Sequence, residues 1–446
     1  MDFNVPIHCI ATVPRPHPSA DKNADLIFVG GGGGPGNTGL VNQLAQLEWS
    51  DHASAGANPT ELHVAATATF SKNDDAPWSI AVSPDAGLVA AGVNAPASDE
   101  FNRNCRILAR STADTAASAK SGGSTTSRAV VELKEIKAFV TTAKDKGAAG
   151  DYQCAAAFSP DGKYLATGSD AGTLSLLKAP SFVQFDWSPL PIGSKIFNLD
   201  FSRDSAKVIV TAERALRVYK VESGELLLEV KPPAAHTFRA GRPGPGSLFY
   251  TLVNQRRIKC ILSVWDLDRP DKPVKSVTVA SKPAVSFAIR DDIAAIGLAD
   301  CSLLLLHSLH HARTLPNVHD VPITALAIAR QPSPTTTTTS SPSSSSSSLV
   351  ILSASGDGKI KVWPAPKPSA LHQLLPAMAH SPIVVALVAL LLAAWFTWLV
   401  LGVIVPADEL VKAGIPFVSV QGGAPKLVVT HVEWMRNVGL DRVFGH

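Results

Sequence analysis

Charge is scarce in this chain and evenly signed, with Lys+Arg 40 against Asp+Glu 37 and a formal net charge of +3. No strongly basic face exists to hold a phosphate backbone, which argues against nucleic acid as a partner. Cysteine is equally sparse. Cys9, Cys105, Cys154, Cys260 and Cys301 form an odd, widely spaced set without a CxxC pair or a cysteine–histidine spacing suited to zinc. They read as reduced thiols, mostly core residues, of a domain in a reducing compartment. The first residues, Met1 to Val13, lack an apolar core of signal-peptide type. No GxSxG, HExxH or paired-carboxylate constellation is visible, and His310–His311 are adjacent on an expected loop rather than spaced to share a metal. Covalent chemistry therefore has no carrier in the sequence, and the chain is not expected to be an enzyme in that sense.

One long hydrophobic run is present. From Ile383 to Val405 the chain is uncharged and almost wholly apolar, a length of roughly 34 Å as a helix against a hydrocarbon core of about 30 Å. It lacks the polar stripe of a buried globular helix and is expected to cross a membrane once. Residues 367–382 would be a linker and 406–446 a tail beyond the membrane. Lys361, Lys367 and Lys412 give only a weak charge bias across the span. With no signal peptide ahead of it, a late span leaves the N-terminal portion in the cytosol and the tail in the lumen, a type II arrangement. The tail has no Asn-x-Ser/Thr sequon, and Lys426 to Thr430 and Val432 to Trp434 suggest a strand or two.

The N-terminal portion repeats one pattern: an apolar strand ending in a Ser-x-Asp turn, a second strand ending in small residues, then a third alternating strand. Ala81 to Asp85 leads to Leu88–Gly92. Ala157 to Gly162 leads to Tyr164–Gly168 and Thr173–Leu177, and Leu199 to Asp204 leads to Val208–Thr211 and Leu216–Tyr219. The last two units are about 43 residues apart, the spacing of a four-stranded propeller blade. Weaker copies run through Ser247–Asp266 and Val285–Leu306, and the plainest, Ile323 to Trp363, ends in Lys361-Val362-Trp363 after Gly356-Asp357-Gly358. With Pro6–Val13 and Leu26–Val29 opening the series, seven units are expected, and the pattern resembles the WD-repeat family of β-propellers over residues 3–366. Asp85, Asp161, Asp204 and Asp357 read as equivalent turn-closing residues. Arg256, Arg257 and Lys259 read as a small solvated basic cluster at a blade edge. Two stretches, 98–127, rich in Ser, Ala and Thr and extending blade two, and 331–348, nearly pure Pro, Thr and Ser, are expected as disordered insertions. After Trp363 the proline-rich Pro364–Pro376 supplies no obvious fourth strand, so the last blade is either three-stranded or completed by the N-terminus.

Five consecutive glycines, Gly30 to Gly34, follow the strand Leu26–Val29 and precede the alternating stretch Leu44–Trp49. Each glycine costs folding entropy, so a loop built from them points to a close backbone contact. Two nucleotide-binding motifs fall short here: Asn37 stands where a P-loop needs lysine, and no helix follows to hold a pyrophosphate.

The loop continues through Pro35, Gly36, Asn37, Thr38, Gly39 and Asn42. With Gly31 to Gly34, Gly39 and Asn42 it fills a pattern of four glycines, four further residues, Gly, two residues and Asn. On a propeller followed by one C-terminal span, this is similar to the endoplasmic-reticulum exchange factors for the Sar-type small GTPase that starts COPII coat assembly, the yeast Sec-twelve and animal prolactin regulatory element-binding proteins. The resemblance implies an all-β, seven-bladed WD propeller with one C-terminal transmembrane helix, either held in the endoplasmic reticulum membrane or cycling between it and the cis-Golgi. It implies guanine nucleotide exchange for ER-to-Golgi transport, with a potassium ion held by Gly31, Gly32, Gly33, Gly34 and Asn42. It also implies GTPase contact through Gly36, Asn37, Thr38, Gly39 and Asn42, with Asn42 as the key polar residue of exchange. The alternative is a membrane-anchored WD-repeat scaffold without exchange activity.

Overall fold

In a computed structural model, residues 1–15, 24–36, 38–50, 61–95, 99, 101–113, 130–142, 151–256, 258–332, 348–366, 417–421 and 424–428 are described. Two compact units divide the chain, Met1–Lys367 and Pro368–His446.

The first unit is built from seven antiparallel sheets in chain order. Blade one is typical, with strands Ile7–Pro14, Asp25–Gly31, Gln43–Trp49 and Leu62–Thr69 paired in sequence. Its burial shows why the strands fall in this order. Asp25–Gly31 is buried along its whole length, whereas the fourth strand alternates between buried and exposed positions. A strand covered on both faces reads as a continuous apolar run, and one with a wet face alternates. The innermost strands are Ile7–Pro14, Ser79–Val82, Gln153–Phe158, Ile196–Phe201, His236–Pro243, Ala284–Arg290 and Ile323–Arg330. Each meets the inner strand of the next blade, and the last meets the first.

The apolar core lies between blades. Each of seven clusters of buried side chains joins two neighbouring blades: Phe28 and Leu44 of blade one with Val89 and Leu108 of blade two, and Val29 and Leu47 of blade one with Leu352 and Ala329 of blade seven. A single blade could not bury its faces alone, so the ring is stable only when closed.

Blade seven settles the open question of its edge. Its sheet has three strands, Ile323–Arg330, Leu349–Ser355 and Ile360–Pro364. The N-terminus lies along the third of them: Phe3 N donates to Gly358 O at 2.7 Å, Ile360 N donates to Met1 O at 2.9 Å, and Asp2 bridges Lys359. Phe3 and Val5 then enter the cluster shared by blades one and seven. The segment that opens blade one thus also covers the edge of blade seven.

Three expectations need correction. The insertion expected at 98–127 contains a regular strand, Cys105–Ala113, third in blade two; Cys105, Ile107 and Leu108 are fully buried and outweigh the polar composition around them. His310–His311 lie on the outer strand of blade six, not on a loop. Asp85, Asp161 and Asp204 do close equivalent turns, each accepting from the serine two residues earlier (Ser83, Ser159, Ser202), but Asp357 lies in a different turn. It pairs with His319 Nδ1 at 3.0 Å; His319 Nε2 meets Ser353 Oγ at 2.8 Å, to which Trp363 Nε1 also donates at 3.0 Å.

Arg257 of the basic cluster, residues 333–347, and the expected linker and span at 367–405 lie outside the described residues. Among the described residues no helix is long and apolar enough to cross a membrane. In the second unit a hairpin pairs Phe417–Gln421 with Ala424–Val428.

Candidate functional site

The glycine run divides into two parts with different work. Gly30 and Gly31 end the second strand of blade one. A Cβ on Gly30 would lie 2.8 Å from Cys9 Sγ and from Pro77 Cβ, and one on Gly31 would lie 2.1 Å from Pro6 O. Gly92, Gly168 and Gly297 lie at or one residue before the ends of the second strands of their own blades, under similar pressure from the next blade's inner segment. Gly30 therefore meets a packing need that recurs around the ring. Gly32 to Val41 form the connection to the third strand.

That connection is held from within. Asn42 is 1% exposed, so its carboxamide needs partners. Its Nδ2 donates to Asp74 O at 2.7 Å and to Gly34 O at 3.2 Å, while Gly34 N donates to Asn42 Oδ1 at 3.0 Å. Gly34 is thereby clamped by both edges of one amide, in a left-handed conformation (φ +76°) that favours glycine. Gly32 must be glycine for space, since an added Cβ would sit 2.7 Å from Asn42 Cα, and Gly33 likewise, at 2.1 Å from Thr38 Oγ1.

The anchor at the other end is the turn before blade two. Asp74 Oδ2 accepts from Ser71 N at 3.2 Å, and its Oδ1 lies 3.3 Å from Arg106 Nη2, which belongs to a guanidinium shared with Glu135. Burial pushes the Asp74 carboxyl up despite Arg106. Asp75 is held by Trp78 Nε1 at 2.9 Å and Asn94 Nδ2 at 3.2 Å. His8 reaches the loop from the inner strand, its Nε2 3.3 Å from Gly32 O, and stacks on Trp78 at 4.4 Å between centroids. Burial lowers the His8 pKa, which favours the neutral ring there.

The exposed tip comprises Pro35, Gly36, Thr38, Gly39, Leu40 and Val41. Leu40 is 40% exposed and Val41 50% exposed. Of the residues expected at the site, Gly36, Thr38 and Gly39 stand at this tip, Asn42 is inside the loop, and Asn37 lies outside the described residues. Sequence reasoning missed Leu40 and Val41, although an apolar pair directly after a glycine-rich polar tip was a readable signal. It also missed Asp75 and His8, which come from elements distant in sequence.

The donor chemistry of the loop fits a hard monovalent cation. Gly32 O and Gly34 O each accept one side-chain hydrogen bond and keep a second lone pair, and Asp75 Oδ1 lies 3.2 Å from the Cβ position of Gly34. Backbone carbonyls and a carboxylate are the oxygen types such ions take.

The WD domain, G-beta repeat family matches residues 146–176 and 313–364, segments that fall largely within blades three and seven. The second match includes the hydrogen-bonded chain His319, Asp357, Ser353 and Trp363. No curated protein matches the chain. Seven antiparallel sheets closed into a ring make this chain a seven-bladed β-propeller, with the WD repeat matched in segments of two of its blades.

Proposed function

We propose that this chain is a guanine nucleotide exchange factor for a Sar-type small GTPase. In this reading it is anchored in the endoplasmic reticulum membrane by residues 383–405, with the propeller in the cytosol, and it starts COPII coat assembly for ER-to-Golgi transport. The observation that supports it is the loop after Gly31. Its stem is fixed by a fully satisfied buried amide, and its tip offers backbone and two apolar side chains to solvent. A free glycine loop would lose much entropy on docking; one already ordered by Asn42 loses less.

Such a tip can approach a nucleotide site closely because Gly36 and Gly39 carry no side chains. Exchange follows if the docked tip binds the empty GTPase better than the GDP-bound one, since only differential affinity moves that equilibrium. Leu40 and Val41 supply apolar contact, and Gly36, Thr38 and Gly39 the close approach. A potassium ion held by the Gly31–Gly34 carbonyls and Asn42, beside Asp75, would neutralise the carboxylate and stiffen the stem. The propeller acts without covalent chemistry of its own.

The test is affinity for the two states of a purified Sar-type GTPase. The exchange reading expects at least about a hundredfold tighter binding to the nucleotide-free form, which corresponds to about 2.7 kcal/mol of coupling. Equal affinity for both forms would leave only a membrane-anchored scaffold.

A further inference from the structure

The strand Cys105–Ala113 sends alternate side chains to opposite neighbours, as a strand must. Cys105 and Ile107 enter the cluster shared with blade three, and Leu108 enters the one shared with blade one. Arg106 falls on the same face as Leu108, and the turn that follows blade one is what it meets. Its Nη2 lies 3.3 Å from Asp74 Oδ1 and its Nη1 3.2 Å from Glu135 Oε1, while its Nε is buried without a partner among the described residues. The guanidinium is therefore held there by its two carboxylates.

Those carboxylates differ in their need for it. The Glu135 side chain is 37% exposed and water can serve it, whereas the Asp74 side chain is 9% exposed. Among the described residues the Asp74 carboxylate has the Ser71 amide, at 3.2 Å, and Arg106. Glu135 and Asp99 are like charges and press against its ionised form. A buried carboxylate deprived of its cation is strongly destabilising where it stands. The turn relieves that cost by swinging Asp74 toward water.

Asp74 cannot swing out alone. Its carbonyl accepts from Asn42 Nδ2 at 2.7 Å, and Asn42 in turn holds both the N–H and the C=O of Gly34. The backbone bond from Asp75 N to Asn94 O, 2.9 Å, ties the turn to blade two whatever Arg106 does. Arg106 thus governs which way Asp74 faces, and with it the place of Gly34, rather than whether the turn is attached.

We propose that Arg106 is a positioning residue of the exchange loop: standing on blade two, it keeps Asp74 turned inward, so that Asn42 holds Gly34 and the loop presents Leu40 and Val41 in the form that docks. The role rests on the exchange reading, and Arg106 acts through Asp74 and Asn42 without touching the GTPase. A first measurement takes the purified full-length chain without GTPase and follows hydrogen exchange of the Gly34 amide, which donates to Asn42 Oδ1. The parent is expected to protect it. Arg106→Met should bring it to within about tenfold of the rate of an unstructured peptide, while the amides of the blade-five strand Leu248–Gln255 keep the parent's protection. Asp74→Asn added to Arg106→Met leaves no buried charge and should restore protection to within about threefold of the parent. Glu135→Gln should leave Gly34 exchanging no faster than in the parent.

A second measurement is kcat/KM for GDP release from a purified Sar-type GTPase. Arg106→Met should lower it at least about fivefold, the loss expected when only about a fifth of the loops are competent to dock, and the double variant with Asp74→Asn should recover it. If Arg106→Met does not fold, Arg106→Lys carries the test. One ammonium shared by two carboxylates should loosen Gly34 several-fold, and Glu135→Gln in that background should reverse the loss. The role would be overturned by an unprotected Gly34 in the parent, by full protection or an unchanged kcat/KM in Arg106→Met, or by equal losses in the single and double variants. Blade-five amides opening in step with Gly34, or an Arg106→Lys loss that Glu135→Gln does not reverse, would overturn it too. No release by the parent would overturn the exchange reading beneath it, whatever Gly34 does.

Discussion

Replacing Asn42 by alanine should cost about 2 to 4 kcal/mol of stability, because the carboxamide ties Gly34 of the loop to the buried Asp74 carbonyl. The bond from Gly34 N to Oδ1, 3.0 Å, is worth about 1 kcal/mol net. Asp74 O lies in the interior and loses its amide donor, a penalty of about 1 to 3 kcal/mol; the Gly34 groups are nearer the surface and can recruit water at little cost. Asn42→Asp sharpens the reasoning. It keeps the shape but turns a donor into an acceptor facing Gly34 O and Asp74 O, so at neutral pH it should destabilise at least as much as alanine. Its new carboxyl would be raised by burial, and its deficit should shrink as pH falls and the protonated group becomes a donor again. Urea unfolding at pH 7.5 and pH 5, with limited proteolysis to report the loop, measures both effects. A loss below about 0.5 kcal/mol for Asn42→Ala, or an Asn42→Asp deficit that does not change with pH, would refute the claim that this amide holds the loop.

Other substitutions probe other parts of the argument. Gly32→Ala pushes a Cβ to 2.7 Å from Asn42 Cα and should cost more than Gly39→Ala, which has open space and pays only about 1 kcal/mol for its φ of +75°; equal costs by urea midpoint would contradict the packing account. The Asp200 side chain is 17% exposed with its Oδ2 buried, and desolvation pushes its carboxyl up to about 7 against the pull of Arg242. The folded state therefore keeps a proton that the unfolded state releases near 3.8, and stability contributed by Asp200 is present at low pH and lost as pH rises from about 4 to about 7. Asp200→Asn should gain on the parent across that window, and a difference in midpoint that stays flat with pH would contradict it. Ser353→Ala strips the shared hydroxyl from His319 Nε2 and Trp363 Nε1 in blade seven and should cost about 2 kcal/mol; a thermal midpoint within error of the parent would show the chain to be dispensable.

The ring was legible because its signals are local. The Ser-x-Asp turns of blades two to four, the largely apolar second strands and the WD-type ending of blade seven each occupy a few consecutive residues. Blade two was partly hidden because Cys105–Ala113 is embedded in Ser/Ala/Thr-rich sequence, and its burial is decided by neighbours in blades one and three. Asp357 was grouped with the wrong turns because Ser355-Gly356-Asp357 imitates a Ser-x-Asp turn, whereas its partner His319 lies 38 residues away. The glycine loop was found, but the direction of Asn42 was not. A polar residue after glycines reads as exposed until the Ser71–Asp74 turn is brought against it. The pairing of Arg106 with Asp74 depends on which face of its strand Arg106 takes and on a contact with a turn 32 residues away, which no linear pattern encodes.

The central claim is that the ordered loop on blade one drives nucleotide exchange through its exposed tip. Its most direct test is the rate of fluorescent GDP release from a purified Sar-type GTPase, with the parent chain and with Leu40→Asp, a change at a position 40% exposed that should leave the urea midpoint unaltered. The account predicts that the parent accelerates release at least about a hundredfold and that Leu40→Asp loses at least about tenfold of that, a transition-state loss of about 1.4 kcal/mol. No acceleration by the parent, or equal acceleration by a folded Leu40→Asp, would contradict it.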